Sequence, residues 1–156
     1  MTLALSRMTE GHRPAVLGLR VRDTQTLFVE QIAATLADTE GTRDNHVMLS
    51  GLDVIGFFQI DAMNKPRFQA PSAFELELHE VMIDAGYQGQ GFGKAFAMAL
   101  GGYIRTAYPA WETLVLSVNC RNEHAYALYR LGGFADTGEI FEKGHTGPQN
   151  VMRLVL

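Results

Sequence analysis

Between Ala73 and Asp84 the chain alternates apolar and polar residues, as a half-buried strand does, but the alternation changes phase midway. Leu76 and Leu78 put the apolar face on even positions, whereas Val81 and Ile83 put it on odd ones. A period-2 strand shifts in that way by inserting one extra residue, so the pattern predicts a bulge at His79 to Glu80. A strand buried on both faces, in which phase carries no meaning, is the other reading of the same pattern.

The remaining pattern gives a mixed order of helices and strands rather than strict alternation. Leu3 to Met8 reads as a first strand, and Thr9 caps a helix running to about Arg22. Asp23 or Thr24 opens a second helix to about Thr39, in which Phe28, Ile32 and Leu36 repeat every four residues along a buried face. Val47–Ser50 and Val54–Asp61 form paired strands about a Gly51-Leu52-Asp53 turn. After the central strand come a helix over Gly91–Ala107, a strand over Thr113–Asn119 and a helix over Arg121–Leu131. Phe134–Phe141 and Val151–Leu156 are the last strands. The segment from Met63 to Ser72, with Pro66 and Pro71, reads as a surface loop.

The turn that follows the central strand carries Gly89, Gly91 and Gly93 at alternate positions and runs straight into a helix. Glycines there let the backbone approach a ligand, and the helix start leaves N–H groups unpaired at the positive end of the dipole. Together these make an anion site suited to phosphate; a glycine-rich turn with no ligand is the plainer alternative. A P-loop does not fit, because Gln88 stands at the first glycine position and Ala95 where a hydroxyl would meet magnesium. A dinucleotide fingerprint does not fit either, since the spacing is G-x-G-x-G.

At 156 residues the chain has the size of one domain, with 47% hydrophobic and 19% charged residues. No apolar run is long enough to span a bilayer, and the N-terminus lacks the pattern of a signal peptide. Cys120 is the only cysteine, which excludes an internal disulfide and points to a reducing compartment, by default the cytoplasm. A net charge of −4 argues against nucleic acid as a partner, though not against a phosphate ligand held by backbone amides. His79 and Glu80 have no third or fourth ligand at helpful spacing, so no metal is expected.

Gln88-x-x-Gly91-x-Gly93 between strand and helix resembles the pyrophosphate loop of the GNAT family of N-acetyltransferases. Asn122-Glu123-His124-Ala125-Tyr126-Ala127-Leu128-Tyr129, closing on Gly133-Phe134, is similar to a second signature of that family. Gly132 departs from it, standing where a larger residue is usual. Leu19-Arg20-Val21, Gln25, Phe28-Val29, Val54-Ile55-Gly56-Phe57 and Met82-Ile83-Asp84 are similar to the bacterial spermine/spermidine (diamine) branch. The resemblance implies a mixed α/β (α+β) domain over residues 1–156. Its sheet would have six to seven mostly antiparallel, twisted strands, splayed at a β-bulge and flanked by about four helices. It also implies acetyl-CoA as co-substrate and direct transfer of acetyl to a primary amine, without a covalent enzyme intermediate. Members of the family often dimerise, and a homodimer is therefore allowed.

Carried over residue by residue, the resemblance places Met82 and Ile83 along the pantetheine arm and Gln88, Gly89, Gln90, Gly91, Phe92, Gly93 and Lys94 at the pyrophosphate. Phe92 is expected to pack the helix start rather than to touch a base. Asn122 and Ala125 would lie along the arm, with Tyr129 at its reactive end. Acetyl transfer needs a donor for the carbonyl oxygen, a base for the amine and an acid for the thiolate. Tyr129 is the candidate acid; outside the motif an aromatic there reads as core packing. Glu77 or Glu80 is the candidate base, with ordinary solvated strand residues as the alternative. Glu75, Glu77 and His79 alternate along the strand, and further acids (Asp23, Asp38, Glu40, Glu139, Glu142) suit a polyamine or other small cationic amine. An aminoglycoside, an amino acid or a protein N-terminus is the competing acceptor, and a non-catalytic acyl-CoA-binding module the competing class.

Overall fold

The computed structural model describes residues 2–20, 32–36, 43–62, 68–142 and 147–156. Seven strands form one sheet: β1 (Ala4–Arg7), β2 (Arg43–Ser50), β3 (Asp53–Asp61), β4 (Glu75–Ile83), β5 (Thr113–Asn119), β6 (Ala135–Phe141) and β7 (Gln149–Val155). Their order is β1-β2-β3-β4-β5-β7-β6. Pairing is antiparallel for β1/β2, β2/β3, β5/β7 and β6/β7, and parallel for β4/β5. The helices are α1 (Arg13–Leu17), α2 (residues 32–36), α3 (Phe92–Ala107) and α4 (Glu123–Leu131). This is the mixed α/β architecture that the pattern predicts.

The chain forms two compact units, Met1–Asp61 with His79–Gly93 and Ala62–Leu78 with Lys94–Leu156. In the first, Val16, Leu19, Ile32, Leu36, Val47 and Phe57 bury one core, and Met82 packs against it. Ile32 and Leu36 are two members of the expected helical face; Phe28 and the rest of that helix lie outside the described residues. The β2–β3 hairpin turns on Gly51-Leu52, with Ser50 opposite Asp53, and the polar pairs Arg43/Asp61 and Asn45/Gln59 face each other at its far end. In the second unit Phe68, Val115 and Val151 make a smaller cluster with Phe141 against it.

Several boundaries differ from the sequence pattern, each for a local reason. The helix expected from Thr9 is a 3-10 turn over Glu10–His12 followed by the short α1, which stops at Gly18. Pro14 suits the first helical turn but Gly18 ends it, and beyond Leu19 the N–H of Arg20 turns to the carboxylate of Asp84. Helix α4 starts at Glu123 rather than Arg121, because Asn122 caps it by accepting from the N–H of Ala125 at 3.2 Å. Strand β4 ends at Ile83, since Asp84 caps a 3-10 turn over Ala85–Tyr87.

Candidate active site

Strand β4 carries the chain from the second unit into the first between Leu78 and His79. Its ladder with β5 runs from Glu75↔Thr113 to Glu77↔Val115. Three residues on, Glu80 has φ 54°, the only positive value at a non-glycine among the described residues. A left-handed residue inside a strand turns its peptide groups out of the ladder, which is the local break that the phase change calls for. Burial changes at the same place: Glu75–Leu78 are buried, whereas Glu80 and Val81 are exposed.

After β4 the loop is held by its own side chains. Gln88 donates through Nε2 to the carbonyl of Ile83 at 2.9 Å, and Gln90 donates to the carbonyl of Gly86 at 2.9 Å. Both glutamine side chains are thus spent on the loop's own carbonyls. Gly89 and Gly91 have φ 75° and 88°, which side chains on L-residues disfavour. A Cβ built on Gly89 would meet nothing within 4 Å, so that side of the loop is open. Phe92 is buried and stands edge-on to Tyr87 with ring centres 5.8 Å apart, fixing the first turn of α3. Lys94 is exposed two residues further on. By helix geometry the first amides of α3 have no acceptor within the helix. The loop thus sets two exposed glycines, Gly89 and Gly91, directly before a helix start, an arrangement that can accept an anion.

The first unit holds Glu80, Met82, Ile83 and Gln88–Gly93; the second holds Glu77, Lys94, Asn122, Ala125 and Tyr129. Tyr129 on α4 is half-buried, its ring edge-on to Phe134 at 5.6 Å, and among the described residues its hydroxyl has no hydrogen-bond partner. Burial pushes its pKa up to about 12, so the hydroxyl keeps its proton throughout the neutral range. Tyr126, its neighbour on α4, donates to Asp136 at 2.9 Å.

The acids of β4 differ from one another more than their spacing suggests. Glu75 is 4% exposed and fully engaged: Arg153 donates through Nε to Oε2 at 2.5 Å and through Nη2 to Oε1 at 3.0 Å. Thr113 adds a hydroxyl donor at 2.7 Å. Glu75 is therefore a structural ion-pair partner and not part of an acidic acceptor surface, which corrects the grouping drawn from sequence. Glu77 has 0% exposure. His79 places Nε2 3.8 Å from Oδ2 of Asp61, an oxygen also 3.5 Å from Nε of Arg43. Asp23, Asp38 and Glu40 lie outside the described residues.

Sequence reasoning passes over Asp84, a buried carboxylate between β4 and the loop. Its oxygens accept the N–H groups of Arg20 and Gly86 at 2.6 and 3.0 Å. Burial by itself would raise its pKa, but those bonds and the Arg20 guanidinium hold it below the usual carboxylate value. The signal for it is present in Ile83-Asp84-Ala85-Gly86, the spacing of a side chain that bonds the backbone two residues on.

Among the described residues no group of three or more His, Cys, Asp or Glu could hold a metal ion. Nor is any helix among them long and apolar enough to cross a membrane.

Residues 16–134 match the model of the acetyltransferase (GNAT) family. The chain belongs to that family, and its enzymatic class is N-acetyltransferase. It is 28% identical over 145 residues to the spermine/spermidine N(1)-acetyltransferase of Bacillus subtilis, covering 90% of this chain and 92% of that protein. It is 30% identical to the N-alpha-acetyltransferase RimI of Mycobacterium tuberculosis over 89 residues, 57% of this chain and 50% of that one. The fold is shared with AAC(6')-Ib in complex with paromomycin and acetyl-CoA, at a TM-score of 0.78 and 15% identity, covering 99% and 94% of the two chains. A chimera of the Vibrio cholerae spermidine N-acetyltransferase SpeG has a TM-score of 0.68 at 18% identity, covering 99% and 96%.

Proposed function

We propose that residues 1–156 act as a single acetyl-CoA-dependent N-acetyltransferase domain that moves acetyl directly to a primary amine of a small cation, a polyamine being the favoured class. The observation that carries the reading is the left-handed break at Glu80, directly ahead of a loop opened by Gly89 and Gly91. A strand whose peptide groups are turned out of its ladder offers them to an extended ligand, and the loop beyond offers amides to a diphosphate. Coenzyme A carries both. The lone cysteine supports a reducing, cytoplasmic setting.

In this reading the amides of Gly89 to Lys94 hold the pyrophosphate, and the backbone of Met82 and Ile83 pairs with the pantetheine arm. Phe92 supports the loop from beneath. Asn122 and Ala125 lie along the arm. A β4 N–H freed at the break donates to the thioester oxygen as it gains charge. The amine nitrogen forms the new C–N bond, the C–S bond breaks, and Tyr129 gives its proton to the departing thiolate. The proton lost by the amine passes to Glu80, directly or through water. Exposure favours Glu80 over Glu77, which would need a buried water chain to reach an acceptor.

The polyamine is supported by the curated relative of nearly equal length and by the exposed acids Glu80 and Glu142. The test is a panel of spermine, spermidine, aminoglycosides, amino acids and an N-terminal peptide with acetyl-CoA, read as released thiol. Release with polyamines above the others is expected. Release confined to another amine would replace the acceptor, and none with any amine would overturn the activity.

A further inference from the structure

The Asp84 carboxylate is 8% exposed, against 73% for the Arg20 side chain that forms its ion pair at 3.4 Å. The guanidinium is thus largely in water, and the buried charge is held by backbone amides: Arg20 N–H on Oδ1 and Gly86 N–H on Oδ2. Main-chain bonds reinforce the same junction. Asp84 N–H donates to Ile55 at 2.8 Å, Ala85 N–H to Arg20 at 2.8 Å, and Tyr87 N–H to Asp84 at 2.9 Å. Gln90 then reaches back to the carbonyl of Gly86, the residue that Asp84 fixes. Three stretches of chain, at Ile55, at Arg20 and at Asp84–Tyr87, therefore meet at Asp84, the first through its main-chain N–H and the other two through its carboxylate as well, and the tie continues into the glycine loop.

We propose that Asp84 is the positioning residue of the coenzyme loop: its two oxygens set the path of Gly86, and through Gln90 the direction in which the amides after Gly89 face. This rests on reading that loop as the coenzyme A site. Asp84 touches no reacting atom and is not a catalytic residue. Both of its oxygens are needed, because they face separate N–H donors. An asparagine has one acceptor oxygen, so one of the two amides would confront an NH2 group instead. The Arg20 side chain is dispensable, since its backbone does the holding.

The test is calorimetric titration of coenzyme A into the wild type, Asp84→Asn, Arg20→Ala and Gly86→Ala, with melting of each unliganded protein measured beside it. Asp84→Asn is expected to weaken coenzyme A about tenfold, by loss of a pre-organised loop. Arg20→Ala should stay within about twofold of wild type, because its guanidinium contact is exposed. Gly86→Ala would put a methyl 2.6 Å from Nη2 of Arg20, whose exposed side chain can swing away, and 3.0 Å from Oδ2 of Asp84, which is held in place. It is expected to weaken coenzyme A as well, which keeps the question open to measurement if Asp84→Asn does not fold. Full affinity in either Asp84→Asn or Gly86→Ala, whatever the change in melting, overturns the positioning role and leaves the coenzyme site standing. A wild type that does not bind coenzyme A overturns the site itself, and this role with it.

Discussion

Gly132 lies so close to Ala97 that a Cβ added to it would stand 2.3 Å from the Ala97 carbonyl oxygen. That approach of α4 to α3 explains the departure from the family's second signature: a side chain at 132 does not fit here. Gly132→Ala is expected to cost about 1–3 kcal/mol, the usual range for overpacking a tight contact. Urea unfolding checks it, and an unchanged midpoint would mean that the helices part freely.

Glu80 sits in a conformation that costs a non-glycine residue about 1–2 kcal/mol. Glu80→Gly should relieve part of this and raise the melting temperature while lowering turnover. Glu80→Gln keeps the strain and removes the proposed base, so kcat should fall by about 10²-fold at unchanged stability. Turnover equal to wild type in both variants would remove Glu80 from the chemistry.

Tyr129, with its pKa pushed up to about 12, stays protonated well beyond the ordinary tyrosine range. No alkaline loss of kcat from this group is expected below about pH 11. Tyr129→Phe should lower kcat by about 10²-fold with little effect on the KM for acetyl-CoA. A variant with normal kcat would dismiss it as the acid.

The fully buried His46 stacks on Phe58, with ring centres 5.0 Å apart. Its pKa is lowered to about 4, chiefly by burial and further by Arg7, with Asp44 opposing. Below its ordinary value of 6.5 the unfolded chain takes up a proton that the native chain refuses until about pH 4. Stability should therefore fall as pH drops through that window, by about 3 kcal/mol in total from this residue. Urea unfolding at several pH values reads it, and His46→Gln should flatten the acid limb.

Arg153 and Glu75 make a buried pair that anchors the N-terminal end of β4. Arg153→Met would strand the carboxylate and is expected to destabilise by about 3–5 kcal/mol. A loss below about 1 kcal/mol would mean that Glu75 finds another partner.

What the sequence makes legible is what local pattern encodes. Thr113–Asn119 is read to the residue because a β-branched apolar run ends at Asn119-Cys120-Arg121, where the chain must turn. The break at Glu80 is read from a change of phase alone. Pairings across long stretches of chain leave no such trace. Glu75 looks like its neighbour Glu77 until Arg153, 78 residues away, is brought to it. Asp84 is a mixed case, since its turn is visible in Ile83-Asp84-Ala85-Gly86 but the Arg20 amide that completes its shell is 64 residues distant.

The central claim is that the loop after β4 holds acetyl-CoA by its amides. Amide NMR of the wild type titrated with acetyl-CoA tests it most directly. The predicted result is saturable shifts concentrated at Gly89, Gln90, Gly91, Phe92, Gly93 and Lys94, with Met82 and Ile83 following. Saturable binding that leaves those amides unmoved, or no binding at all, would contradict it.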